Sequence, residues 1–244
     1  MRTNIKSEIY KFIHSPLLLL HIIVPAIGSL IFVGYFAISN WNEWDKVTAF
    51  IQSLTVTFPV IIGIIMAMTC EFEQNAGNFQ AMLTTKNAKF VPHISKMIVV
   101  LTFGFMATIF TMILFYIGFY FTGHISFSLL FFVQTAILMF VSIIPLYLLS
   151  YLVSFLYGKG MSISLGIIGG LLSALLLTGL GDYNWWYTPW GVASRFSLSF
   201  SLIDLGVSVN GINRAIASLL LFAIILTALF ILIFSKWESE KKQD

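Results

Sequence analysis

Glu71 and Glu73, two carboxylates one residue apart, are the nearest this chain comes to an acid–base pair. Such a pair works only beside a group that shares the proton, with the two pKa values pushed apart. The four histidines, His14, His21, His93 and His124, are scattered along the chain, and none stands at a metal-ligand spacing. Cys70 precedes Glu71 but is the only cysteine, so no internal disulfide can form. Gly158-Lys159-Gly160 approaches a phosphate-cradling loop, yet it lacks the earlier glycine and the hydroxyl residue after the lysine. It reads as a turn between spans. No His-Glu-x-x-His protease motif occurs. Glu71 and Glu73 are therefore electrostatic groups beside a lysine-bearing loop, and no catalytic residue is assigned.

Composition explains why chemistry is sparse. Of 244 residues, 59% are apolar, 16% aromatic and only 9% charged, against about 25% charged in a soluble domain. The net charge of +3 is too small for a nucleic-acid footprint. Mean hydropathy is +0.95. The chain is a polytopic membrane protein.

A helix crosses the hydrocarbon core with roughly 20 apolar residues, because each rises about 1.5 Å. Six stretches qualify: 17–38, 50–69, 97–121, 129–151, 161–180 and 215–234. They are continuous rather than alternating, so an all-α bundle of six transmembrane helices is expected and a β-barrel is not. The first is too long for a signal-peptide core and is read as a retained span. No span interior carries Lys, Arg, Asp or Glu, so ion-driven transport is not indicated. Ten basic residues fall in one set of connecting segments, and only Lys46, Arg195 and Arg214 fall in the other. That asymmetry places both termini in the cytoplasm of a multi-pass protein.

Three segments outside the spans carry pattern. In 1–16, Ile5, Ile9, Phe12 and Ile13 recur at helical spacing opposite Asn4, Lys6, Glu8 and Lys11. This is an amphipathic surface helix or a simpler basic anchor. The 70–96 loop reads Glu71-Phe72-Glu73-Gln74-Asn75-Ala76-Gly77-Asn78 before Phe79, Met82 and Leu83. Gly77 allows a sharp turn, Asn78 can cap a short helix, and the three apolar residues form one stripe on it. An apolar knob facing the cytosol calls for a partner's groove or the membrane surface. Segment 181–214 is dense in aromatics, with Trp185, Trp186, Tyr187 and Trp190. It is either an interfacial belt or an outer gate folded back into the bundle.

Within the spans, Gly166 and Gly170 form a small-x-x-x-small pair for close packing, inside the chain or at a subunit seam. Gln52 and Thr55 give the second span a polar outer half ahead of Pro59, and so a possible place on a pathway. Gln134 is expected to hydrogen-bond to another helix.

The order of these parts resembles the permease subunits of type 2 ABC exporters, and among them the lantibiotic-immunity permeases. An amphipathic N-terminus and two spans are followed by a Glu71-x-Glu73-x-x-x-Gly77 loop, then by four spans with an aromatic segment before the last. The local match is strongest over 71–83, supported by Ser7-Glu8-Ile9-Tyr10-Lys11. The resemblance implies one permease domain over 1–244 in a bacterial plasma membrane. It implies that 77–83 is a coupling helix, with Glu71, Glu73, Gly77, Phe79, Met82 and Leu83 seated on a separate ATPase subunit present in two copies. ATP and Mg²⁺ would be bound there and not by this chain. A second permease, usually a different homologous chain, would complete the pathway. The cargo would be a cationic amphiphilic peptide lifted from the membrane and returned outside; the alternatives are export of another amphiphilic drug or lipid, and a membrane-embedded peptide sensor or scaffold without transport.

Overall fold

Backbone groups in hydrocarbon have no water to bond with, so a spanning chain must satisfy them internally as helix. The computed structural model follows that rule throughout residues 2–84, 88–124, 126–204 and 206–237, which are the ones it describes. An N-terminal helix α1 (Arg2–Ile13) precedes α2 (Pro16–Ile38) and α3 (Glu43–Asn75). A single turn, α4 (Gln80–Leu83), leads to α5 (Phe90–Phe121), α6 (Leu129–Tyr157) and α7 (Lys159–Leu177). Two 3-10 turns (Gly179–Gly181, Trp185–Tyr187), α8 (Pro189–Asp204) and α9 (Ile212–Lys236) complete the order. The six helices long and apolar enough to span are α2, α3, α5, α6, α7 and α9.

Local chemistry fixes the starts. Ser15 accepts from the Leu17 N–H at 3.3 Å with Pro16 at the first helical position, where its missing N–H costs nothing. Asn42 accepts from the Asp45 N–H at 2.8 Å, with Glu43 and Asp45 in the first turn of α3. Ser128 does the same for Phe131 at the head of α6.

α3 and α5 are longer than the expected spans. At 33 and 32 residues they reach about 50 Å, well beyond a hydrocarbon core of about 30 Å. The expected loop 70–96 is accordingly shorter. α3 continues through Asn75 and α5 begins at Phe90, so Glu71, Glu73, His93 and Lys96 ride on helical extensions. Lys86, Lys241 and Lys242 of the basic tally lie outside the described residues.

The closest helix pair is α3 with α7. A Cβ on Gly166 would fall 2.7 Å from the Pro59 carbonyl oxygen, and one on Gly63 would fall 2.7 Å from that of Ser162. Gly170 likewise faces Val60, and the Ser162 hydroxyl donates to the Gly63 carbonyl at 2.9 Å. Gly166 and Gly170 therefore serve packing inside the chain. α6 is central, whereas α9 is largely uncovered. Gln134 stands on the exposed side of α6 and makes no side-chain hydrogen bond to another helix among the described residues, contrary to the expectation from sequence.

α1 and the last described residue, Trp237, lie at one end of the bundle, where Lys11 reaches Glu73 and Trp237 lies 5.3 Å edge-on from Phe79. We refer to this as the termini end and to the opposite one as the far end.

Candidate functional site

At the termini end the turn after α3 is built by its backbone. The Phe79 N–H reaches back to the Glu73 carbonyl at 3.2 Å and the Asn78 N–H to that of Gln74 at 2.8 Å. Gly77 has φ +126°, and Asn78 and Phe79 follow in the left-handed region at φ 48° and 64°. Two consecutive non-glycine residues there store roughly 1–3 kcal/mol each. Packing holds them. Phe79 is buried against Phe155 and Trp237, and Met82 is buried beside it, while Leu83 is half-buried.

Two expectations change accordingly. Phe79, not Asn78, occupies the cap position of α4, and no side chain caps it. The apolar stripe of Phe79, Met82 and Leu83 does not face outward as a knob, because Phe79 and Met82 are seated in this chain's own core. What the turn exposes is an amide-rich rim of Gln74, Asn75, Asn78 and Gln80 around Gly77. Those amides were legible as polar residues, but a one-turn stripe does not state which way it points.

Beneath the turn, charges from three helices converge. Glu73 of α3 accepts from Lys96 of α5 at 2.8 Å and from Lys11 of α1 at 2.9 Å. Glu8 of α1 pairs with Lys11 at 2.9 Å and with Lys96. Glu73 and Lys96 are only 4% and 7% exposed, so each needs the other's charge. Burial pulls the Lys11 ammonium down. The hydrogen bond to Glu73 and the charges of Glu8 and Glu73 outweigh it, and its pKa stands above the ordinary lysine value. A raised value means this contribution is complete below the ordinary lysine range and is lost only as pH climbs through the raised one. The clamp does not titrate through Lys11 near neutrality. Glu71, by contrast, meets Lys159 at 2.5 Å, with Lys159 exposed and Glu71 half-exposed. The clamp roofs a mostly apolar cavity of about 340 Å³ floored by Phe12, Leu17, Phe72, Val99 and Val100. Phe12 stacks on Phe103 at 4.1 Å, so α1 lies against the bundle along its Ile5, Glu8 and Phe12 side.

The far end is built from aromatics. Trp185 and Trp186 are 1% and 2% exposed and pack with Val192, Phe196, Ala215 and Leu219. They are core residues rather than a surface belt. Trp190, half-buried, lies over Gly169 and Pro59, which are mid-length positions of α7 and α3. α8 thus starts deep among α3, α6 and α7 and runs back outward. Arg195 secures it, donating to the carbonyls of Leu176 at 2.6 Å and Thr178 at 2.7 Å and to Asp182 at 2.9 Å. Sequence reasoning counted Arg195 only as a loop charge. A cavity of about 410 Å³ opens here, lined by Gln52, Asp182, Trp185, Arg195, Ser199 and Asn210 among others. Gln52 reaches it. Thr55 does not: it is fully buried, and its hydroxyl donates to the Gln52 carbonyl at 2.8 Å.

Comparison with the curated proteins found no match, and comparison with the solved structures found none. The family model described as ABC-2 family transporter protein matches residues 4–173. That match takes in α1, the charge clamp, the turn and the α3–α7 packing. The chain, a multi-pass membrane protein of helices wound as above, belongs to the ABC-2 transporter family.

Proposed function

We propose that this chain is the permease subunit of an ATP-driven exporter, that its termini end is cytoplasmic, and that it seats a separate ABC ATPase there. Family membership makes it a membrane transport component and implies an ATPase partner. The observation that carries the docking site is the turn 76–79. Its backbone is held in a strained shape by Phe79 and Met82 below, and it offers Gln74, Asn75, Asn78 and Gln80 above. A rim fixed in this way can pass a push from a partner into α3 and α5, because Glu73 joins them. The cargo we infer is a lantibiotic or similar amphiphilic peptide taken up from lipid. In this reading the far-end cavity, with Gln52 and Trp185 in its lining, is the exit for such a peptide. A second permease chain would close the pathway along the uncovered helix faces.

Asn75→Arg with Gln80→Arg alters only exposed residues and leaves the buried stripe intact. We expect loss of co-purification with the ATPase subunit, of substrate-stimulated ATP hydrolysis and of peptide resistance together, with normal membrane insertion. Wild-type co-purification and hydrolysis would remove the rim from the interface. Orientation is tested separately in a Cys70→Ala background. Cysteines at Asn40 and Ser208 should react with an impermeant reagent added to intact cells, and one at Asn75 should not. Labelling of Asn75 from outside would invert the assignment.

A further inference from the structure

A crevice of about 60 Å³ lies between α2, α3, α5 and α6, lined by His21, Pro25, Gly104, Thr108, Thr111 and Tyr147 among apolar neighbours. His21 is 6% exposed. Its Nδ1 stands 2.7 Å from the Leu17 carbonyl. A carbonyl can only accept, so Nδ1 carries the proton and the neutral ring presents Nε2 as a bare acceptor. Nε2 is buried and meets no donor among the described residues. Pro25, four residues on in α2, has no N–H to give the His21 carbonyl. Thr108 and Thr111 spend their protons on the carbonyls of Gly104 and Ala107, at 2.9 and 2.7 Å, and keep only lone pairs. The Tyr147 hydroxyl, pressed against Gly104, is the one proton donor lining the crevice whose hydrogen has no partner among the described residues. The crevice is therefore rich in acceptors and short of donors.

We infer that this crevice is a built water site, in which bound water donates to His21 Nε2 and bridges to the Tyr147 hydroxyl across the interior of the bundle. About 30 Å³ is one water's share of liquid volume, so there is room for two, and buried water typically satisfies two to four such groups. Leaving Nε2 unpaired in hydrocarbon is the costly alternative. The site ties α2, at the residue whose carbonyl Pro25 cannot bond, to α6.

The test is water-edited solid-state NMR on ¹⁵N-histidine-labelled protein in nanodiscs, with the His21 signals identified by their loss in His21→Phe. We expect magnetisation from water to reach the His21 ring about as readily as that of exposed His14, and the transfer to slow in Tyr147→Phe. If Tyr147→Phe does not fold, Thr111→Val takes its place with the same expected reading. Transfer to His21 from lipid acyl protons alone would show the crevice filled with hydrocarbon and overturn the inference. Water transfer left unchanged by the variant would overturn it too, since the water would not be held by these groups.

Discussion

Each end of this bundle fastens a non-spanning segment to the helices, and the two ends use different forces. At the termini end, α1 is tied to the bundle by four charges from three helices, Glu8, Lys11, Glu73 and Lys96. At the far end, α8 and the 3-10 turns are held by Trp185 and Trp186, with Arg195 as a polar clasp. An aromatic anchor loses in proportion to the volume removed. An ion clamp loses according to what is left behind, since a charge without its partner costs more than the pair contributed. The ends should therefore respond to substitution by different rules, and that difference can be broken.

The largest loss is expected at the aromatic end. Truncating a buried tryptophan costs about 3–5 kcal/mol, and Trp185→Ala with Trp186→Ala removes two whose rings lie 6.0 Å apart. The two costs share neighbours and will not add fully. We expect segment 181–214 to become sensitive to protease added to the purified protein, with a thermal midpoint below that of any clamp variant. A conservative exchange such as Trp185→Phe should recover part of the loss, because area and not charge is at stake. Intact resistance to protease in the double variant would show that Arg195 alone fastens α8.

The clamp should show the opposite logic. Lys96→Met leaves Glu8 and Glu73 with Lys11 as their only compensation, and breaking a buried pair from one side costs about 3–5 kcal/mol. Adding Glu73→Leu removes a second charge yet should restore much of the stability, since Glu8 and Lys11 remain paired at 2.9 Å. Thermal unfolding of the single and double variants in one detergent decides it. If the double variant is the less stable, the clamp behaves as ordinary packing and the contrast between the ends disappears.

How much of this could be read from the sequence follows the same division. The spans were legible because about 20 uninterrupted apolar residues have one use in a membrane protein. The aromatic density of 181–214 was legible too, but it left a surface belt and a segment folded back among helices equally open, because aromatics serve at both places. The clamp was not. Glu8, Glu73 and Lys96 lie up to 88 residues apart, and charge counting used the lysines for orientation while their partners remained unseen. Phe79 was misread for a local reason: spacing of i, i+3 and i+4 defines a face, but on a helix of one turn the backbone entering it decides which way that face looks. The left-handed pair at Asn78 and Phe79 turns it inward. Arg195 gave little signal, since two of its three acceptors are the carbonyls of Leu176 and Thr178, groups that every residue possesses, and only Asp182 offers a side chain.

The smallest effect separates charge as such from buried charge. Lys159 and Glu71 form an ion pair at 2.5 Å, within the range of contact seen in the clamp, but their side chains are 59% and 39% exposed. Water solvates whichever partner is left alone, and exposed pairs of this kind are worth about 0–1 kcal/mol. Lys159→Met should therefore shift unfolding far less than Lys96→Met, although each deletes one lysine at the same end of the bundle. Raising the salt concentration should shrink the Lys159 effect further and leave that of Lys96 nearly unchanged, because a surface pair is screened and a buried one is not. Equal losses from the two lysines would mean that net positive charge at this end, rather than the geometry around Glu73, holds α1 to the bundle.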